Sequence, residues 1–502
     1  GAAARLDAIY EEFDNHRDVF EGRFLGISPS LTAALGPDTT LTAQYTYDDD
    51  KRVTDRGVPS RGGRPLRGFD EAFFGSPELN RNSNQAHTVR ARLDHRFSDE
   101  LAFNLTGQFS DFDKFYGNVF PRAAATATTI ELEGYADATT RRNYIGQANL
   151  IWTGNTGPIG HTLLVGVEAA DQDSDNDRRN VLFADGTNGG LRVTVPLAER
   201  IVVPATSLTP LVTDRESRLR VLSAYIQDQI ELGDYVQIVA GVRFDDFDID
   251  TVNLVNGFAA ARSDGKWSPR LGLILKPQPS VSVYASFARS FLPQSGDQFA
   301  VLDATTARLA PERFENIEAG VKWDVTPELA FTAAVFQLDR DNTRANDPVT
   351  GVAVQTGSTR TKGFEAQLMG QITPQWQASL GYAHQTGEIR TTTTAAPAGR
   401  KLAQLPRDQV SVWTRYDVTR AIGLGAGLVH QAKQFATISN AVVLPAFTRV
   451  DAAVFWDATE RLALQLNVEN LFDTNYYPSA HTDNNIAPGA PITARVTVRL
   501  KL

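Results

Sequence analysis

The sequence predicts an all-β fold, a large antiparallel transmembrane β-barrel of about twenty strands with short turns on one rim and long loops on the other. Three observations lead there. First, the terminal segment alternates without a break: Ile492, Ala494, Val496, Val498, Leu500 and Leu502 are apolar, whereas Thr493, Arg495, Thr497, Arg499 and Lys501 are polar. A strand of this kind is oily on one face and charged on the other, and about eleven tilted residues suffice to cross a bilayer. Second, the same alternation recurs from end to end. Third, no apolar run reaches the ~18 residues of a helical span, a filter that barrel strands escape because only alternate residues need be apolar.

The elements follow in order from the turn signals. Residues 3–14 and 22–34 alternate as strands, and a turn at Leu35–Leu41 follows them. Further short turns fall at Phe97–Leu101, Thr153–Pro158, Leu232–Tyr235, Lys276–Pro279, Val325–Leu329, Ile372–Trp376, Val418–Ala421 and Ala458–Leu462. Pro, Gly and Asp there supply a fixed φ, a positive φ and local side-chain hydrogen bonds. Nine such turns join eighteen strands, and one strand before the first turn plus the closing strand bring the expectation to about twenty. Longer polar connections are expected at about 50–84, 114–140, 173–217, 292–311 and 390–405. Leu462, Leu464, Leu466 and Val468 alternate with Arg461, Gln465, Asn467 and Glu469, and Val281, Val283, Ala285 and Phe287 alternate with Ser282, Tyr284 and Ser286. One face is therefore polar, as a wide lumen requires and a sandwich interior does not. Trp152, Trp323, Trp376 and Trp456 lie within a few residues of short turns, at the height of an interfacial aromatic girdle.

Composition narrows the function. A soluble chain of 502 residues would divide into several domains, but Gly, Thr, Ser, Asp and Arg are spread evenly and no linker appears. The absence of cysteine removes disulfides, thiolate metal sites and cysteine nucleophiles. A net charge of −10 argues against general nucleic-acid binding. Gly1 already lies within a strand, without an initiator Met or signal peptide, which suggests an excised piece. His95, His161, His384 and His430 do not cluster with acids, and neither a nucleophile elbow nor a phosphate loop is visible, so no enzyme, no metal site and no cofactor are expected. His384, at the outer end of a strand, is expected to be hydrogen-bonded on the wall. Asp171, Asp173, Asp175 and Asp177 have a cation-site spacing, but an EF-hand would need Gly and an acid where Asn176 and Leu182 stand, so a hydrated acidic loop is expected. The acidic runs 48–50 and 245–250 suggest divalent bridges to lipid phosphates.

Several strings go beyond a generic barrel. They are Ala224–Gln229 with Gly241–Asp245, Ser268–Gly272, Ser290–Phe299, Leu309–Lys322, Gly357–Glu365, and Val-Glu-Asn-Leu-Phe-Asp-Thr-Asn-Tyr-Tyr at 468–477. In this order they resemble the barrel of TonB-dependent outer-membrane receptors of the ferric-siderophore branch; residues 290–299 and 485–491 look most like the catecholate type. The resemblance implies a 22-stranded barrel with short periplasmic turns and long extracellular loops, preceded by an energy-coupling plug. Residues 1–502 would then be the barrel domain, without plug or first hairpin. It further implies a monomer in the bacterial outer membrane, amid lipid and lipopolysaccharide, that takes up a ferric siderophore. Energy would come from the TonB-ExbB-ExbD complex through the missing plug.

A ferric tris-catecholate is a bulky trianion, so its capture calls for clustered cations and flat aromatic surfaces. The first long connection brings Lys51, Arg52, Arg56, Arg61, Arg64 and Arg67. The next brings Lys114, Phe115, Tyr116, Phe120 and Arg122, and Arg289 and Phe291 stand beside Gln294 and Gln298. From these, Arg56, Arg61, Arg64, Phe115, Tyr116, Arg289 and Phe291 are the expected ligand-facing residues. The competing readings are a receptor of the same superfamily for cobalamin, haem or a glycan, a passive porin, and a soluble multi-sheet protein.

Overall fold

A computed structural model describes residues 1–293, 302, 307, 310–346, 353–393 and 396–501. Its described strands form one 22-stranded antiparallel sheet and three small hairpins. Twenty members of the large sheet are long. The other two, Val193–Pro196 and Thr206–Leu208, are short strips laid on the ends of longer strands. Twenty long strands exceed the 16 to 18 typical of passive porins. All nine expected short turns lie between consecutive long strands.

The chain divides into two compact units. The first comprises Gly1–Arg56, Glu71–Leu273 and Ala288–Phe314. Within it Ala2–Asp14 pairs with Glu21–Ala34, which pairs with Thr39–Arg52, and the ladder continues through Arg81–Arg96, Leu101–Pro121, Thr129–Thr156, Ile159–Phe183, Thr213–Leu232 and Val236–Asn253. The second comprises Gly57–Asp70, Ile274–Phe287 and Glu315–Leu502. Its ladder runs from Leu329–Asn346 through Ala353–Thr373, Trp376–Ile389, Asp408–Asp417, Ile422–Gln431, Phe447–Asp457 and Leu462–Glu469 to Thr493–Leu500.

Register turns the sequence alternation into two opposed surfaces, because directly paired residues share a face. In the second unit Leu424, Val454, Leu466 and Val496 stand side by side on four strands, and each is at least 39% exposed. On the opposite face Phe455, Gln465 and Thr497 are neighbours, as are Asn467 and Arg495. Apolar rows that stay uncovered are what a lipid-facing wall requires; a sandwich would bury them. Trp323, Trp376 and Trp456, beside short turns, are exposed, and Trp152 is half-buried.

One expected connection is mostly strand, and another is strand at both ends. Residues 114–140 are mostly taken up by Leu101–Pro121 and Thr129–Thr156, leaving only 122–128 between them. Ile159–Phe183 and Thr213–Leu232 take only the two ends of 173–217, so 184–212 remains a long connection. A 28-residue strand such as Thr129–Thr156, tilted near 45°, rises roughly 65 Å, well beyond the ~25 Å apolar band. Above that band neither face needs to be oily, so the alternation that marks a strand fades. Asp171, Asp173, Asp175 and Asp177 accordingly sit on one face of Ile159–Phe183, not in a loop, and Asp171 and Asp173 approach Arg218 across the ladder at 2.5 and 3.7 Å. Conversely, the connections 432–446 and 470–492 are long and carry packed segments that the sequence pattern did not reveal.

Because Val496 faces outward in an apolar row and Thr497 faces the polar side, the two positions should respond differently to charge. Val496→Arg is expected to cost about 2–4 kcal/mol of stability in lipid vesicles if it lies near the midplane, and Thr497→Arg little. Denaturant unfolding in vesicles measures both; equal costs would mean that the faces are misassigned.

Candidate ligand-capture site

Two groups of cations and aromatics stand at the long-connection ends of the strands, one in each unit. In the first unit, the chain leaving Thr39–Arg52 is pinned in place. Val53 donates its N–H to the Glu21 carbonyl at 3.0 Å, and the Thr54 hydroxyl donates to the Gly117 carbonyl at 2.5 Å. Asn80, 1% exposed, ties the region together. Its amide donates to the carbonyls of Thr54 and Val119 at 2.9 and 3.0 Å, and its oxygen accepts from the N–H groups of Ser76 and Val119 at 3.0 and 2.8 Å. Asp55 is gripped by the buried Arg17 guanidinium at 2.6 and 3.1 Å.

That scaffold delivers Arg56 into an aromatic cage. Its guanidinium donates to the hydroxyls of Tyr116 at 2.9 Å and Tyr135 at 2.6 Å. It also lies 5.2–5.9 Å from the ring centres of Tyr116, Phe120 and Tyr135, within cation–π range. Arg178 covers Tyr135 at 4.3 Å and makes a bidentate pair with Asp137, both bonds 2.6 Å. The Asp137 carboxylate is taken by Arg178, and among the described residues Arg56 has no acidic partner. Tyr116, Asp137 and Arg178 are directly paired across three strands, on the polar face.

In the second unit, Gly57–Asp70 folds into a small projecting hairpin. Val58 and Ile486, both fully buried, exchange backbone hydrogen bonds of 2.8 and 2.9 Å. Gly57, at φ +75°, lets this happen: a Cβ there would meet the Ile486 carbonyl oxygen at 2.0 Å. The Tyr477 hydroxyl donates to Asp70 at 2.6 Å, Ser60 donates to Asn484 at 2.7 Å, and the Val443 N–H donates to the Gly63 carbonyl at 2.9 Å. The tip is Gly62-Gly63, at φ +59° and +74°, a two-residue turn that only glycine enters freely. Arg61 and Arg64 flank it, directly opposite each other and exposed. Like charges in that relation are destabilising, and among the described residues Arg61, Arg64 and Arg67 form no ion pair.

The remaining expected residues sort differently. Phe115 adjoins Tyr116 in the same strand and so faces the other way, where Arg81 lies over its ring at 4.8 Å; strand alternation separates the pair that the sequence placed together. Lys51 and Arg52 belong to a strand and pair with Asp49 and Asp50. Arg289 and Phe291 are half-buried at the end of Val281–Leu292, and neither is a partner of Arg56. Gln294 and Gln298 lie outside the described residues. His384 is hydrogen-bonded to Asp408 at 2.7 Å, on the face that carries Phe364. Tyr135, Asp137, Arg178 and Asn80 were missed, because the first three lie on strand extensions read as loops. Among the described residues, no group of His, Asp or Glu could hold a metal ion.

Residues 26–471 match the family model described as TonB dependent receptor-like, beta-barrel. The chain belongs to that family. It is 26% identical to the "Probable TonB-dependent siderophore receptor PiuA" of Acinetobacter baumannii, over 100% of this chain and 73% of the relative. It is 27% identical to the "Metal-pseudopaline receptor CntO" of Pseudomonas aeruginosa, over 99% and 70%, and 25% identical to the "Catecholate siderophore receptor Fiu" of Escherichia coli K12, over 99% and 72%. The crystal structure of PiuA superposes with a TM-score of 0.90 at 22% identity, covering 100% of this chain and 77% of that one. A closed form of Fiu gives 0.85 at 22% identity, covering 99% and 77%. The fold is therefore that of an outer-membrane receptor barrel, whose polar face lines the lumen and whose apolar face meets lipid.

Asn80→Ala would strand two buried carbonyls and two buried N–H groups, each worth about 1–3 kcal/mol if left unsatisfied. Amide exchange in 53–56 and 76–80 is expected to accelerate while exchange in the lower half of Leu101–Pro121 stays unchanged. Unaltered protection of 53–56 would show that Asn80 does not hold Arg56 in place.

Proposed function

We propose that this barrel captures anionic ferric siderophores of the catecholate type at its extracellular mouth for energy-coupled uptake. The observation that carries the reading is the opposed, unpaired Arg61 and Arg64 at the tip of a firmly anchored hairpin. Two guanidiniums held against their mutual repulsion gain most from a multiply charged anion. Arg56, Tyr116, Tyr135 and Arg178 add a fixed cation–aromatic surface of the sort that a planar catecholate ring stacks on. Phe115, turned to the other face, drops out of this set, and so do Arg289 and Phe291, which stand in phase with Val281, Val283, Ala285 and Phe287 on the apolar face of their strand. The names of the PiuA and Fiu relatives support the same cargo class. Uptake in this reading draws on the TonB-ExbB-ExbD motor and a plug, with no covalent chemistry by the barrel.

A second reading rests on CntO, which is as similar as the siderophore receptors: the cargo would be a metal-pseudopaline chelate. Anion capture by the same arginines serves both, and the choice of chelate separates them.

Titration of the purified receptor with a ferric tris-catecholate should give an affinity that falls about tenfold or more in Arg61→Glu/Arg64→Glu, with a weaker salt dependence than wild type. Unchanged affinity would remove the hairpin from capture. Preference for metal-pseudopaline over the catecholate would favour the second reading.

A further inference from the structure

An asparagine followed by glycine is prone to modify itself, because the glycine nitrogen has no neighbouring side chain to shield it from the asparagine amide carbon. The sequence holds two such dipeptides, Asn188-Gly189 and Asn256-Gly257. Both belong to the first unit and stand on the rim of the long connections. Asn188 lies between Ile159–Phe183 and Thr213–Leu232, and Asn256 between Val236–Asn253 and Phe258–Gln278. All four residues are exposed. Solvent and sequence chemistry are thus matched, and the local hydrogen bonding differs.

The turn at Asn256 is braced. The Gly257 N–H, whose nitrogen would be the nucleophile, donates to the Asn253 carbonyl at 2.9 Å. The Asn256 side-chain oxygen accepts from the Phe258 N–H at 3.0 Å, and the Leu254 N–H ties the tip to the Asp214 carbonyl at 2.8 Å. At Asn188 the bonds close around the dipeptide and leave it loose. Thr187 and Arg192 pair directly, and the Gly190 N–H donates to the Thr187 carbonyl at 3.1 Å. Asn188 and Gly189 are the residues spanned, at φ +53° and +68°. Among the described residues neither the Gly189 N–H nor the Asn188 side-chain amide has a partner. Phe183 and Val193, each 3% exposed, hold the chain on either side. The turn is fixed at its base and open at its tip.

We propose that Asn188 is a site of spontaneous deamidation, a charge-altering modification built into the extracellular rim. The Gly189 nitrogen gives its proton to solvent base and attacks the Asn188 Cγ. A C–N bond forms there, the Cγ–Nδ2 bond breaks, and Nδ2 leaves as ammonia. Water then opens the resulting five-membered imide at either carbonyl, giving aspartate or, with the main chain rerouted through the side chain, isoaspartate. Water is the co-reactant throughout, and no electrons change hands. The product carries a negative charge beside Arg192. Burial pushes the Glu133 carboxyl up, and Arg122 and then Arg192 act against that rise; Glu133 is in turn paired with Phe120, a ring of the Arg56 cage. The modification thus sets a carboxylate close to a mouth arranged for anions. Its chemistry does not depend on which cargo that mouth takes.

Peptide mapping by mass spectrometry of the purified receptor, aged in mildly alkaline buffer, reads both dipeptides in one sample. Asn188 should convert about tenfold faster than Asn256 or more, the margin given by the two hydrogen bonds that hold Gly257 and Asn256. In denaturant, where neither turn persists, the two should convert at comparable rates. Ion exchange of the aged receptor should show an acidic form that Asn188→Gln abolishes and Asn256→Gln leaves in place. Equal rates in the folded receptor, or faster conversion at Asn256, would overturn the proposal. So would a tenfold preference that survives in denaturant, because the fold would then not be its cause.

Discussion

Interstrand hydrogen bonding is the constraint from which everything else in this protein follows. Inside hydrocarbon no water is present to satisfy a backbone N–H or carbonyl, so each strand must give its polar groups to its neighbours. Once the ladder is fixed, side chains have only two directions available, and one residue of slippage would exchange the oily and wet faces. Leu466 beside Val496 and Gln465 beside Thr497 are thus consequences of one pairing. The same logic decides chemistry far from the bilayer: Tyr116 joins Arg56 in the lumen whereas Phe115 meets Arg81 outside.

The wall was largely legible in the sequence because membrane burial imposes a strict alternation and the tight turns demand Pro, Gly, Asp or Thr. Those signals fail where the membrane ends. Thr129–Thr156 and Ile159–Phe183 climb beyond the lipid into water on both sides, where Asp173-Ser-Asp-Asn-Asp reads as a polar loop although it is a strand. The acidic spacing that resembles a cation site is there simply the period of one strand face.

The capture site was legible as an inventory of cations but not as an arrangement. Arg56 was picked out by its basic surroundings; its partners Tyr116 and Tyr135 arrive from positions 60 and 79 residues later. Arg178 and Asp137 depend on a register that no local pattern encodes. Arg61 and Arg64 came closest to being readable, since Arg-Gly-Gly-Arg combines a turn signal with two charges. Yet what makes the pair informative is the absence of a carboxylate beside either one among the described residues, which is a property of the folded neighbourhood.

The anchoring of that hairpin carries an implication for how the receptor matures. Ser60 is held by Asn484 and Asp70 by Tyr477, partners 424 and 407 positions downstream. Closing such long loops is slow and comes late in folding. The arginine tip is therefore synthesised well before its anchors and set only after the chain that follows it has been threaded into the wall. An assembly intermediate stalled before its final strands would carry a loose, sticky cationic tether, and only the completed cylinder would present it as a rigid prong.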